Sequence, residues 1–160
     1  MPCWPRRPWS KCPFFEEKPM LTIFASLIVS IPPKPVMVTD QFLSALAMVE
    51  WGGKGPAPAG DGGRAVGPYQ IHDIYRREAN RLLRAPVFGS DDRKGYRASK
   101  EMSRVVLSFW AKYHRARGVK ITPEVLCSIH RRPNHKWRPE RLQLPLERVR
   151  TRKLKAYMRL

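Results

Sequence analysis

The chain has 160 residues, with 31 Lys+Arg against 13 Asp+Glu and a net charge of +18. That length fits one domain plus a tail. Three cysteines, an odd number with two in the leader, give no ground for a disulfide framework, and the eleven-residue apolar run at 21–31 is too short to span a bilayer. The basic excess is steepest over residues 119–160, 12 basic against 3 acidic. Such a surface draws polyanions, whether nucleic acid, anionic lipid or acidic wall polymers, without choosing among them.

Residues 1–38 read as a proline-rich, disordered leader. Pro2, Pro5, Pro8, Pro13 and Pro19 break any helix there, and Met20 is a second candidate start. The 21–31 run, behind Arg6, Arg7, Lys11 and Lys18, suits a signal segment, although Glu16, Glu17 and Pro32-Pro33 are poor flanks for one. A working signal implies a secreted or periplasmic protein; the alternative is an uncleaved arm.

Thr39 or Asp40 then caps a helix over 41–51, with Phe42, Leu43, Leu46 and Val49 at helical spacing, and Gly52-Gly53 stops it. Six glycines and two prolines make 52–66 a loop or tight hairpin. A second helix is expected from Gln70 or Ile71 to Ala85-Pro86, and a polar loop over 86–97. Ser99 is expected to cap a long helix over 100–117, with Val105, Val106, Phe109 and Tyr113 inward. Thr122-Pro123-Glu124 opens a further helix, on whose apolar side Cys127 reads as a small buried hydrophobe. The Arg- and Pro-rich stretch 131–146 does not resemble a packed core and reads as decayed or frame-shifted. A final basic helix covers 146–159. With little strand signal, the expected class is mainly α.

Three groups carry chemistry. Glu50 ends the first helix beside Trp51, and both the helix dipole and an aromatic neighbour favour a protonated carboxyl, as a general acid needs. Asp61 follows in Gly60-Asp61-Gly62-Gly63, an open setting that suits a charged nucleophile or stabiliser. Gly67-Pro68-Tyr69-Gln70-Ile71-His72 turns into a helix N-terminus, offering backbone N–H groups and the Gln70 amide to a ligand, with Tyr69 available to stack on a sugar ring. Each has a plain structural alternative: a solvated last-turn glutamate, an Asp-Gly turn, and a turn that packs two helices. His72, His114, His130 and His135 lack metal-ligand spacing, so no metal and no cofactor are expected.

Together these segments resemble the invertebrate-type lysozymes, the destabilase family. The resemblance runs over roughly 42–133, through Val49-Glu50-Trp51-Gly52-Gly53, Asp61, Gly67-Pro68-Tyr69-Gln70-Ile71, Tyr75 with Glu78, and Ser128-Ile129-His130-Arg131-Arg132-Pro133. More broadly the pattern is similar to goose-type lysozymes and lytic transglycosylases. The resemblance implies a small lysozyme-like helical domain over 39–133, followed by a basic C-terminal segment, 134–160. It implies cleavage of the β-1,4 bond of peptidoglycan, with Glu50 as general acid, Asp61 as second carboxylate, and Gly67, Tyr69, Gln70, His72, Tyr75 and His130 lining or supporting the glycan cleft. Two departures stand out. Trp51 replaces the usual Ser after the acid, and His130-Arg131-Arg132-Pro133 lacks the Asn-Gly-Gly of the family's loop, which needs glycine's backbone freedom. The competing expectation is a non-catalytic cationic protein that binds wall polymers or nucleic acid, or an inactive homologue.

Overall fold

Helix α1, Asp40–Trp51, begins where the Thr39 hydroxyl accepts from the Phe42 amide at 3.1 Å and ends on Gly52 in the left-handed region. The computed structural model that defines it describes residues 38–159. The proline-rich leader, the 21–31 run, Met20, Cys3 and Cys12 lie outside the described residues. Val38, expected to close the leader, instead belongs to the core. It is buried, and its carbonyl accepts from Arg104 at 2.9 Å.

Four further helices follow: α2 Asp73–Leu83, α3 Tyr96–Arg115, α4 Pro123–Arg131 and α5 Pro145–Met158. The protein is mainly α, and among the described residues only two isolated β-bridges occur, Gly60 with Ala65 and Val66 with Ile71. At 20 residues α3 is about 30 Å long. It packs against α1, α2 and α4, while α5 lies across α1 and α4.

The cap of α4 is as expected, with Thr122 accepting from the Val125 amide at 3.4 Å and Pro123 in the first turn. Two other readings are corrected. Helix α2 starts at Asp73, because Gly67 (φ 75) and Gln70 (φ 49) hold 67–70 in a tight turn. Helix α3 starts at Tyr96, so Ser99 is no cap; its hydroxyl is buried and donates to the Gly95 carbonyl at 2.6 Å. The inward face of α3 is Ser99, Met102, Ser103, Val106, Leu107, Trp110 and His114. Of the four inward residues expected, Val106 is buried on that face and Tyr113 packs half-buried against the core, whereas Val105 is only half-buried and Phe109 is 39% exposed.

The largest correction concerns residues 131–159: the Arg- and Pro-rich stretch does not resemble a packed core in sequence, yet it and α5 each place a side chain in the core. Trp137 is 1% exposed, its indole N–H donates to the Ser128 hydroxyl at 3.0 Å, and its ring stands 5.2 Å from that of His114. Leu154 is fully buried in the same core. The basic side chains of this stretch mostly point outward, which hides its core contacts from a reading of composition. Cys127 is buried as expected, and burial pushes its thiol up to about 11, so it is no ready nucleophile.

Gly67 shows how closely the loop before α2 is packed. A Cβ at this position would overlap the Arg93 carbonyl. Gly62 is also left-handed, at φ 63, but a Cβ there would meet nothing within 4 Å. Gly67→Ala is therefore expected to cost about 3 kcal/mol or more, by strain plus overlap, and Gly62→Ala about 1 kcal/mol, by strain alone. Urea unfolding of the two variants checks this; equal losses would contradict the packing described here.

Candidate active site

The end of α1, the glycine-rich loop, α2, the end of α4 and α5 surround a cleft of about 910 Å³. Its walls include Glu50, Asp61, Gln70, His72, Tyr75 and His130, six of the eight residues singled out from sequence. Gly67 and Tyr69 are not on those walls.

Glu50 enters from the last turn of α1, and its side chain is 9% exposed. The expected desolvation is present, but it comes with a counter-charge that sequence reading missed. Arg150 of α5 grips both carboxylate oxygens, with Nη1 2.9 Å from Oε2 and Nη2 on Oε1. Arg150 is itself 12% exposed on its side chain, so the pair is buried. For Glu50 to give a proton to a ligand, Arg150 must release one of those oxygens.

Asp61 has the open setting expected of it. It sits at φ 51 at the start of a 3-10 turn, Asp61–Gly63, with its side chain 52% exposed. Arg64 contacts one carboxylate oxygen at 3.1 Å and His72 lies 3.4 Å from the other. His72 is the residue before α2, so the start of that helix positions the imidazole over Asp61.

Gln70 is spent on the protein rather than offered to a ligand. Its amide nitrogen donates to the Pro58 carbonyl at 2.8 Å and the Gly67 carbonyl at 3.0 Å, lashing the two turns together. Tyr69 is fully buried, so the expected stacking of its ring on a sugar is corrected. It works from behind the cleft, where its carbonyl accepts from His130 Nε2 at 2.9 Å.

That bond fixes His130. With Nε2 donating to a carbonyl, Nδ1 is left as the acceptor, 3.0 Å from the Tyr75 hydroxyl. Burial holds the Tyr75 phenol above its ordinary range, so it remains a donor. Tyr69, His130 and Tyr75 thus form a chain in which a neutral imidazole backs the cleft wall.

Burial also holds His130 below its ordinary value of about 6.5, and His114 likewise. The unfolded chain therefore takes up protons first as the pH drops. The stability these histidines contribute is present above about pH 6.5 and is lost as pH falls through that value towards their lower folded values. Thermal melting between pH 7.5 and 5 should show a falling Tm, with a shallower slope for His130→Gln. A flat profile in the parent protein would contradict the neutral, buried assignment.

Besides Arg150, sequence reading missed Arg81, Trp110, Asn134 and His135 as cleft residues. The local sequence carries no signal for Arg150; only in the structure does it share a buried stripe of α5 with Glu147 and Leu154. Among the described residues no three His, Cys, Asp or Glu side chains gather as a metal site, and no helix is long and apolar enough to cross a membrane.

The fold and cleft define a small helical protein with three carboxylates, Glu50, Asp61 and Glu78, on one open groove. Comparison with family models, curated proteins and solved structures returns no match. The resemblance to invertebrate-type lysozymes is therefore carried by the quoted residues alone.

Proposed function

We propose that the chain is a lysozyme-like glycosidase that cleaves the β-1,4 bond between amino sugars of peptidoglycan. The observation that carries this reading is the meeting of Glu50 and Asp61 on one cleft from two unlike settings, a buried helix end and a half-exposed glycine loop. Once Arg150 lets go of one carboxylate oxygen, Glu50 takes up a proton from water and passes it to the leaving oxygen of the glycosidic bond. Asp61 stabilises the sugar cation or forms the glycosyl ester, which water then opens. His72 holds Asp61, and the Tyr75–His130 chain keeps the wall behind Glu50 rigid. If Glu50 acts alone as acid and then base, the product is an anhydro sugar, as from a lytic transglycosylase. Such an enzyme works where the wall is, secreted or periplasmic.

The test is to incubate the full chain with purified peptidoglycan and read the soluble fragments by mass spectrometry. Reducing ends support hydrolysis with Asp61 taking part, and anhydro ends support Glu50 acting alone. No fragments from folded protein would refute the reading.

A second reading has one specific observation in its favour, the grip of Arg150 on both Glu50 oxygens. On it the chain is an inactive relative or a cationic binding protein for wall polymers or nucleic acid. It predicts salt-dependent retention on those polymers without bond cleavage.

A further inference from the structure

The charges on the cleft are unevenly spent. Each carboxylate on its walls already has a cationic partner: Glu50 has Arg150, Asp61 has Arg64, and Glu78 has Arg81, which grips it at 2.7 and 2.8 Å. The arm that follows α4 differs. Arg131 is shared with the buried Glu147 at 3.9 Å. Arg132 is exposed and lines the cleft, and among the described residues its guanidinium has no ion-pair or hydrogen-bond partner. His135, three residues on, also lines the cleft, and its imidazole likewise has no partner there. Trp137 locks the arm from below through Ser128, and the His114 ring holds the Asn134 carbonyl at 3.1 Å. Free donors on a pinned backbone are pre-organised for a ligand, because less ordering is lost on binding.

We propose that Arg132 and His135 form an oxyanion-binding subsite at this end of the cleft, taking a carboxylate or phosphate group carried by the polymer that the cleft binds. The guanidinium offers a planar fork of donors that fits either group, and the imidazole N–H adds another. The glycosidase reading supplies only the identity of that polymer. Carboxylates come from the peptide stems of peptidoglycan and phosphates from phosphodiester polymers attached to it.

The test is co-sedimentation of the full chain with insoluble cell walls at fixed salt. Three wall preparations are compared: intact walls, walls stripped of phosphodiester polymers with hydrofluoric acid, and stripped walls whose stem carboxylates are amidated. The Arg132→Gln/His135→Gln variant should bind intact walls at least about tenfold more weakly than the parent chain. Lys153→Gln, a charge removed from the exposed side of α5, should change affinity less than twofold. If the gap closes on stripping, the ligand is phosphate; if it closes only on amidation, it is carboxylate. A variant that binds like the parent, a Lys153→Gln loss as large, or a gap that survives amidation would overturn the subsite. Fragment release is read from the same tubes. A binding gap with no fragments leaves the subsite standing and removes the glycosidase reading.

Discussion

Arg150→Ala is expected to destabilise the protein by about 3–5 kcal/mol, the cost of leaving one member of a buried ion pair without the other. Both side chains are nearly enclosed, at 12% and 9% exposure, so solvent does little to screen the orphaned Glu50. Against a total stability of about 5–15 kcal/mol, a loss of this size brings a small domain close to unfolding at ambient temperature. The same reasoning predicts the rescue. Glu50→Gln/Arg150→Met removes both charges and should recover most of the loss, since an apolar replacement for a buried pair is often neutral or better. Urea unfolding of the two variants checks this. An Arg150→Ala loss below about 1 kcal/mol would mean that α5 does not deliver a buried cation to Glu50.

Trp137→Ala should cost a similar amount, about 3–5 kcal/mol, through the cavity left by a large buried ring. It also strands the Ser128 hydroxyl and takes away one wall of the His114 pocket. Trp137→Phe should cost less, because the ring volume is mostly kept and only the hydrogen bond is lost. Melting temperature and urea midpoint report both. If Trp137→Ala unfolds like the parent, residues 134–160 are an attachment after all, and the wall that carries Arg150 is no part of the domain.

How much of this was legible in the sequence depended on how local each signal is. Thr39 with Gly52, and Thr122 with Pro123, mark helix ends through contacts within four residues, and the structure bears both out. The α3 face was misread because its buried side includes Ser99, Ser103 and His114, polar residues that apolar periodicity passes over. Phe109 seemed inward by the same criterion. Instead it stays at the surface, with the Arg81 guanidinium 5.9 Å from its ring centroid. Glu50 and Asp61 lie eleven positions apart across a glycine loop, close enough for a motif to foretell their shared cleft. Arg150 stands 100 positions from Glu50, and no local pattern encodes that meeting. In the 131–160 segment a few core residues, Trp137 and Leu154 chief among them, were outnumbered by the outward-facing Arg and Lys, so composition gave the wrong picture.

The most direct test of the proposed chemistry is peptidoglycan clearing by three full-length proteins: the parent, Glu50→Gln, and Glu50→Gln/Arg150→Met. Helical circular dichroism and melting establish that each is folded, and co-sedimentation that each still binds the wall. The account predicts clearing by the parent alone, with the folded double variant bound to the wall yet at least about a hundredfold slower, the scale of removing a general acid. Clearing by the folded double variant at the parent's rate would contradict it, and the carboxyl of Glu50 would then have no part in the reaction.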